Sequence, residues 1–332
     1  MFKNSWKIMF IMFIVLSTFI VISANSWISV WMGLEINLLS FIPLMNDKKN
    51  ILVSETMMKY FLIQAIASTL LLSMILMFMN LHSYMFSIFS NWNDTLIIPV
   101  LLKMGMAPFH FWFPQIIEGL SWFNSFILMT WQKISPLIIL SYLNSNLLWI
   151  SIILSAMIGA IHGLNQTSLQ KILVFSSINH MAWMCSAMSF SYLLMSQYFL
   201  FYSFFQFTII LFLNNSNLFN LNQLFNYSIN SSSFKIIIFF NFLSLGGLPP
   251  FLGFFPKWMI IQALMESYSL MVLFILIMFS MITVFFYLRM SFSSLLINSL
   301  AQKNLFFYNY NNLYIICSLI SIFCLPLLYL VL

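Results

Sequence analysis

Long apolar runs, separated only by short polar segments, constrain this chain more than any other feature of its sequence. A helix that crosses a bilayer needs about 20 predominantly apolar residues. Runs of this kind recur along all 332 residues, and only 5% of the residues are charged. An ordinary soluble domain carries about 25% charged residues. The sequence therefore predicts an all-α polytopic membrane protein in which nearly the whole chain lies in or beside the bilayer.

The apolar runs predict about eleven transmembrane helices, since a span with its turn uses about 30 residues. Their expected bounds are 8–24, 26–45, 57–80, 95–113, 122–143, 147–163, 171–190, 192–213, 234–252, 258–289 and 313–331. The first run is followed by the sequence ANSW, which contains no A-x-A cleavage site. We therefore interpret it as a span of a single transmembrane domain, not as a signal peptide.

The basic residues of the loops all fall on one side of this predicted topology. They are Lys3, Lys7, Lys48, Lys49, Lys171, Lys235, Arg289 and Lys303. The loops of the other side, near 25, 81–94, 144–146 and 190, contain no Lys or Arg. By the positive-inside rule, the N-terminus faces the compartment of synthesis and the C-terminus faces the opposite side.

The amino-acid composition indicates the compartment in which the gene is translated. The chain has 39 Phe and 25 Met but only 8 Gly and 9 Pro, a bias that follows AT-rich codons. The excess of Met fits a genetic code in which AUA is read as Met. We therefore predict a multi-pass protein of the mitochondrial inner membrane, with its N-terminus in the matrix and its C-terminus in the intermembrane space.

Four charged residues remain at membrane depth once the loop charges are set aside: Glu35, Lys103, Lys133 and Lys257. A charge at the centre of a spanning helix costs about 2.5–3.5 kcal/mol on insertion scales, so such residues are functional candidates by default. Burial disfavours the ammonium form of a lysine, whereas a nearby carboxylate favours it. Movement of Glu35 relative to Lys103 could therefore switch the lysine between holding and releasing a proton.

Glycine and proline predict interruptions in the fourth and ninth spans. Gly105 and Pro108 follow Lys103, and a Gly/Pro-rich stretch at 246–256 precedes Lys257. Proline removes a backbone donor and clashes with the preceding turn of a helix. The polar backbone groups exposed by a break must be satisfied by protein or by water in a cavity. We therefore expect the lysines beside the breaks to border a hydrated interior.

The two predicted breaks suggest an internal repeat. If spans one to five are paired with spans six to ten, each break occupies the fourth position of its half. Because five is odd, the halves would be inverted repeats, at about 8–143 and 147–289, followed by a last helix at 313–331. Interrupted helices at corresponding places of inverted repeats are typical of transport sites.

The candidate residues also have structural interpretations, which the sequence leaves open. Glu35 and Lys103 could form a static ion pair that only fixes helix register. Lys257 could lie at the bilayer interface and extend its amine to water. His110 and His180 could relay protons near neutral pH, or could be buried histidines with satisfied hydrogen bonds.

Motifs for nucleotide binding and redox chemistry do not occur in the sequence. It has no GxGxxG, no P-loop, no cysteine set for an iron–sulfur cluster and no histidine pair for haem. Cys185, Cys317 and Cys324 are interpreted as buried apolar residues. The basic residues form no patch for nucleic acid. We expect no cofactor, metal or nucleic acid to bind to this chain itself.

Six segments together resemble one family of respiratory subunits. They are WMGLEINLLSFIP at 31–43, KMGMAPFHFWFP at 103–114, TWQKISP at 130–136, LNQT at 164–167, SSINH at 176–180 and GGLPPFLGFFPK at 246–257. The set resembles the subunit 2 family of mitochondrial NADH:ubiquinone oxidoreductase, respiratory complex I, in its insect-like form. The second segment alone is also found in related antiporter-like subunits.

The resemblance implies an antiporter-like fold of two inverted five-helix repeats and assigns a role to each candidate. Glu35 and Lys103 would form the modulating ion pair, and Lys133 would be the central relay lysine. Lys257 would link to the neighbouring half-channel, and His180 would occupy a polar relay position in the seventh span.

The function that the resemblance implies is that of a core membrane-arm subunit of complex I. The chain would translocate protons, coupled to electron transfer from NADH to ubiquinone in other subunits. Its partners would be other membrane-arm subunits, including neighbouring antiporter-like subunits, and lipids. Two alternatives stay open: a stand-alone cation/proton antiporter, or a purely structural helix bundle.

Overall fold

The computed structural model describes residues 5–46, 51–81, 92–143, 145–226, 232–296, 316 and 318–321. Fourteen α-helices lie between Ser5 and Leu296 in these ranges, and residues 316 and 318–321 are helical as well. Extended pairing there consists of one isolated bridge between Ser168 and Asn220. The predicted all-α class is therefore confirmed for the described residues. Most of the predicted last span at 313–331 lies outside them, as do Cys317, Cys324 and the loop lysines Lys3, Lys48, Lys49 and Lys303.

The chain divides into two compact units, Met1–Ser151 and Ile152–Leu332. The helices of the first unit are α1 Ser5–Ile22, α2 Trp27–Met45, α3 Ile51–Leu81, α4 Trp92–Met104, α5 Trp112–Ile117, α6 Trp122–Met129 and α7 Trp131–Ser141. Helix α2 packs between α1 and α3, and α4 packs against α3 and α7. Helix α8, Asn146–Leu164, contains the point of division.

The helices of the second unit are α9 Leu169–Met188, α10 Tyr192–Ser216, α11 Leu221–Asn226, α12 Ser232–Gly246, α13 Phe254–Glu266 and α14 Leu270–Leu296. Helix α9 contacts α10, α13 and α14, and α10 also contacts α12. Nearly every residue of α9 is buried. This helix therefore forms the interior of the unit, and its polar residues face protein rather than lipid.

Six of the described helices are long and apolar enough to cross a membrane. They are α1, α2, α3, α8, α10 and α14. Their outward-facing residues include many large apolar side chains, such as Phe19, Leu62 and Phe274. This arrangement is typical of a polytopic membrane protein, whose exterior meets hydrocarbon rather than water.

Helix α2 is held at its start by a capping box and lies close to α1. The Ser26 hydroxyl accepts the N–H of Ser29 at 3.3 Å, which satisfies a backbone donor that the first turn leaves open. A Cβ at Gly33 would lie 2.7 Å from Val21 Cγ2. Glycine at this position therefore permits close contact between α1 and α2.

The predicted tenth span, 258–289, was wrong as a single helix. Helix α13 ends at Glu266 and α14 begins at Leu270. Tyr268 between them has φ +58°, and the Ser267 and Ser269 hydroxyls both donate to the Leu264 carbonyl, at 3.1 and 3.3 Å. These bonds replace the helical backbone bonds and end α13. Helices α12 and α13 are thus the two parts of one broken span. Helix α14 by itself is the next span.

The predicted fifth span, 122–143, is interrupted as well. Helix α6 ends at Met129, and α7 begins at Trp131. Thr130 has φ −118° and ψ −74°, and its hydroxyl donates to the Phe126 carbonyl at 2.7 Å. A threonine hydroxyl that competes for a backbone carbonyl favours such a local departure from helical geometry.

Candidate proton-relay site

The predicted break after Lys103 is confirmed by the structure. Helix α4 ends at Met104 and α5 begins at Trp112. Gly105 has φ +69°, a left-handed conformation that glycine adopts without steric cost and that commonly ends helices. The Leu102 carbonyl, left open by the end of α4, accepts the Gly105 N–H at 3.2 Å and the Trp112 indole N–H at 3.1 Å.

Lys103 lies in the last turn of α4 and is buried, with 8% of its surface exposed. A cation is favoured there by the negative end of the helix dipole. Glu35, half-buried on α2, attracts the Lys103 ammonium group electrostatically. The attraction acts across a gap, in contrast to the direct ion pair of Glu55 and Lys59 at 2.7 Å. Glu35 can therefore influence Lys103 without being locked to it.

Lys133 lies in the first turn of α7, directly after the Thr130 interruption. Its N–H donates to the Thr130 carbonyl at 3.1 Å, and 2% of the residue is exposed. The ammonium nitrogen is 4.7 Å from the centre of the Phe113 ring. A ring face stabilises a desolvated cation at this distance. The break thus holds a buried amine beside α5.

Lys103 and Lys133 line one cavity in the first unit, with a volume of about 30 Å³. A water molecule needs about 10–15 Å³ of such space, so the cavity can hold about two. Glu35 is not part of the lining but lies on α2 next to it. The lining residues are Leu34, Asn37, Leu38, Tyr60, Gln64, Lys103, Met104, Trp112, Phe113, Leu128, Gln132, Lys133, Ser135 and Pro136.

Amide side chains make this cavity polar. The Asn37 amide nitrogen donates to the Ser135 hydroxyl at 3.5 Å, and Gln64 donates to the Lys103 carbonyl at 3.4 Å. Asn37 Oδ1 and Gln132 Nε2 are buried without a protein hydrogen-bond partner. Buried polar atoms of this kind are normally satisfied by water. The cavity therefore has both the volume and the polar groups to hold water between the two lysines.

The second predicted break, before Lys257, is also confirmed. Helix α12 ends at Gly246, Gly247 has φ +78°, and α13 begins at Phe254. Lys257 is buried, with 5% exposure, and its amine donates to the Gly246 carbonyl at 2.6 Å. The amine also lies 5.8 Å from the centre of the Trp183 ring. Burial inside the unit does not fit the alternative in which Lys257 extends to water.

His180 lies on the buried helix α9, with 6% exposure. Its Nδ1 is 2.8 Å from the Tyr198 hydroxyl on α10, and its ring centre is 5.2 Å from that of Tyr202. His110 is buried inside the first break, where its Nδ1 lies 3.3 Å from the Pro108 carbonyl oxygen. His180 is thus joined to other titratable side chains, whereas His110 contacts the backbone of its own loop.

The neutral polar groups around the lysines were not predicted from the sequence. In the first unit these are Asn37, Gln64 and Gln132. In the second they are Tyr198, Tyr202 and Gln206 on α10 and Tyr287 on α14, all at most 2% exposed. The four-residue spacing of Tyr198, Tyr202 and Gln206 places them on one helix face, a signal that could have revealed them. Tyr287 carries no comparable sequence signal.

Comparison with known proteins identifies the family of the chain. Residues 24–286 match the model of the NADH:quinone oxidoreductase/Mrp antiporter transmembrane family. The chain belongs to this family. Similar members of the NADH:quinone oxidoreductase branch include NADH-ubiquinone oxidoreductase chain 2 of Anopheles gambiae, 52% identical over 91% of this chain and 90% of the relative. The corresponding chain of Aedes aegypti is 50% identical over 99% of both proteins.

Solved structures of other proteins share the fold. A chain of respiratory complex I from Thermus thermophilus matches with a TM-score of 0.85 and 20% identity, covering 98% of this chain and 79% of that one. A chain of the Mrp complex from a Dietzia species matches with a TM-score of 0.73 and 15% identity, covering 85% of this chain and 59% of that one. The fold of this chain therefore also occurs in proteins of low sequence identity to it.

Proposed function

We propose that the chain is a core membrane-arm subunit of respiratory complex I that translocates protons. It is a multi-pass protein of the inner membrane and works with the other membrane-arm subunits. Electron transfer from NADH to ubiquinone takes place in partner subunits, and this chain binds no cofactor of its own. The similarity to insect chain 2 supports the assembly. The single observation that supports proton transfer is the polar cavity that Lys103 and Lys133 share.

The cavity suggests how a proton moves between the two lysines. A protonated Lys133 can donate to water in the cavity, and that water can donate to a neutral Lys103. Two ammonium groups in one buried space repel each other, so protonation of one amine disfavours protonation of the other. The attraction of Glu35 favours the charged form of Lys103 and opposes this repulsion. A shift of Glu35 would therefore change which lysine holds the proton.

The proposal includes the finer layout predicted from the sequence. Inverted five-helix repeats at about 8–143 and 147–289, with a last helix at 313–331, would give eleven spans. The N-terminus would face the matrix and the C-terminus the intermembrane space. The presence of a helix break beside a buried lysine in each unit supports this layout. In it, Lys257 passes protons from this subunit towards the adjacent half-channel.

A stand-alone cation/proton antiporter is the second candidate function. The family model, which names Mrp antiporters together with NADH:quinone oxidoreductases, favours an antiporter activity. Purification distinguishes the two functions directly. Comigration of the chain with an NADH-oxidising assembly supports the complex I subunit, whereas autonomous cation/proton exchange by the chain alone in liposomes supports the antiporter.

The Glu35→Gln variant tests the modulating role of the carboxylate. It removes the charge and keeps the size of the side chain, so we expect assembly to survive. A coupling free energy of about 1 kcal/mol corresponds to a change of about fivefold, and we expect coupled NADH:ubiquinone activity to fall by about this factor. The matched control is Glu55→Gln, which removes an exposed carboxylate paired with Lys59.

A double variant that combines Glu35→Gln with Lys103→Met tests whether Glu35 acts through Lys103. We expect Glu35→Gln to have no further effect when Lys103 is already Met, because the carboxylate would have lost the charge on which it acts. Full coupled activity in the double variant, measured in inner-membrane vesicles, would refute the roles of both residues.

A further inference from the structure

The inner end of α12, at the second helix break, is held by contacts with other elements of the second unit. A Cβ at Gly246 would lie 3.3 Å from side chains of α14, and a Cβ at Gly253 would collide with the Ser244 carbonyl oxygen. A further contact comes from the C-terminal segment, which we define as the helical residues 318–321. A helix that crosses the whole bilayer is anchored at both interfaces, whereas the inner end of a broken helix depends on protein contacts of this kind.

A buried hydrogen bond joins the C-terminal segment to α12. The Ser321 hydroxyl donates to Asn241 Oδ1 at 2.6 Å. Asn241 is 1% exposed and Ser321 is 0% exposed, so water does not compete for this bond. The two residues are 80 positions apart in the sequence, and the bond runs directly between their side chains. It therefore links α12 to a distant part of the chain at a point inside the unit.

The bond favours one register of α12 against the C-terminal segment. The Ser321 hydroxyl also lies 2.7 Å from the Ser318 carbonyl, and a serine in a helix is commonly satisfied by a carbonyl of the preceding turn. The serine therefore does not need Asn241 in order to be buried. A buried polar residue at a helix interface specifies register, because a shifted helix would leave it without its partner. Asn241 has this position on α12.

The register of α12 determines where the Lys257 amine finds its acceptor. Helix α12 is continuous from Asn241 to Gly246, and the Ser244 hydroxyl donates to the Asn241 carbonyl at 2.8 Å within this stretch. The Gly246 carbonyl accepts the Lys257 amine at 2.6 Å. A slip of one residue moves a helix by about 1.5 Å along its axis, and hydrogen bonds to nitrogen are rarely longer than about 3.2 Å. Such a slip would therefore separate the carbonyl from the amine.

We propose that Asn241 and Ser321 are positioning residues, whose hydrogen bond lets the C-terminal segment hold α12 where the Gly246 carbonyl accepts the Lys257 amine. This positioning role rests on the proposed function, because it concerns the placement of Lys257. Hydrogen bonds between helices contribute only modestly to the stability of membrane proteins. Loss of this bond therefore leaves the fold intact and loosens the inner end of α12. Neither residue binds or releases a proton, and both act through the backbone of α12.

The variants Ser321→Ala and Asn241→Leu each remove one partner of the bond. We expect complex I containing either variant to assemble. In inner-membrane vesicles it should translocate protons about fivefold more slowly, the factor that a neutral hydrogen bond contributes to an equilibrium. The number of protons moved per NADH oxidised should fall as well. The double variant should fall no further than Asn241→Leu alone, because the bond is already lost.

Ser280→Ala is the matched control. Ser280 is a buried serine of the same unit, and its hydroxyl donates to the Ile277 carbonyl within α14 at 2.8 Å. The same atom is removed, but the contact that it makes lies within one helix. We therefore expect this variant to translocate protons as the parent does.

The proton yield per NADH separates positioning from folding, because a smaller amount of assembled complex lowers proton translocation and NADH oxidation together. An unchanged yield in either single variant overturns the positioning role, and so does an equal loss in Ser280→Ala. Losses that multiply in the double variant assign the two residues to separate packing contacts and also overturn it. If one single variant fails to assemble, the other decides in the same assay. Loss of assembly in both assigns the bond to folding and overturns the positioning role.

Lys257→Met distinguishes a failure of the positioning role from a failure of the proposed function. If Lys257→Met lowers the proton yield while Ser321→Ala and Asn241→Leu do not, only the positioning role fails. If Lys257→Met leaves translocation unchanged, the proposed role of Lys257 fails. A loss in Ser321→Ala would then have a cause other than the placement of Lys257, and the positioning role would be overturned as well.

Discussion

The Lys133→Met variant is expected to lower coupled proton translocation by about 100-fold, the lower end of the range for loss of a positioned proton-transfer group. Methionine is similar in length to lysine and apolar, so it fits the buried position beside the Phe113 ring. It cannot bind a proton, and it therefore breaks the path through the cavity that Lys133 shares with Lys103. Proton uptake and NADH:ubiquinone activity in inner-membrane vesicles measure the effect.

Lys59→Met is the matched control for this experiment. Lys59 is a lysine of the same unit, but its side chain is 42% exposed and pairs with Glu55 one turn away. An exposed pair of this kind contributes little to stability, so we expect translocation to stay within about twofold of the parent. Near-normal translocation in Lys133→Met would exclude Lys133 as the central relay. A similar loss in both variants would point to a general effect of lost lysine charge.

The sequence predicted the structure best where a single residue type determines the backbone conformation, or where burying its charge costs free energy. Gly105 and Gly247 adopt positive φ at the two breaks, and such conformations strongly favour glycine. Lys103, Lys133 and Lys257 were identified because a charge inside a membrane span is costly, and all three are buried in the structure. These features follow from local chemistry and need no knowledge of the tertiary contacts.

The interruptions at Thr130 and at 267–269 were not predicted, since they depend on side-chain hydroxyls. Threonine and serine occur in many spanning helices without ending them, because their hydroxyls can bond a carbonyl three or four residues earlier within an intact helix. Ser176 and Ser177 do this inside α9, where they donate to Leu173 and Val174. Only the backbone conformation distinguishes these serines from those that follow α13.

The buried tyrosines of the second unit, Tyr198, Tyr202 and Tyr287, were missed for a different reason. Tyrosine is uncharged and common near membrane interfaces, so a tyrosine in a span gives no signal of the kind that a lysine gives. The chain has 13 tyrosines, and those at positions 142, 192 and 268 are exposed. Tyr287 comes from α14, which packs against α9. A contact over such a sequence distance cannot be read from one sequence.

Gly253→Ala is expected to have the largest effect on stability among the glycine variants. Gly253 directly precedes α13, and a Cβ there would collide with the carbonyl oxygen of Ser244 on α12. The added Cβ is bonded directly to the backbone and the Ser244 oxygen is a backbone atom. No flexible side chain can therefore move away to relieve the collision. Overpacking in a close-packed interior costs about 1–3 kcal/mol and occasionally more, and we expect a cost of about 3 kcal/mol here. The level of assembled complex and its thermal stability on native gels should both fall.

Gly246→Ala is the matched control, because it adds the same methyl group to the other end of the same break. Its Cβ would lie 3.3 Å from side-chain atoms of Tyr287 and Val284, which can yield by a few tenths of an ångström. We therefore expect nearly normal assembly of this variant. If Gly253→Ala assembles as well as Gly246→Ala does, then α12 and α13 do not approach each other through Gly253 in the working protein. The position of Lys257 would then depend on its bond to the Gly246 carbonyl and not on the close contact of the two helices.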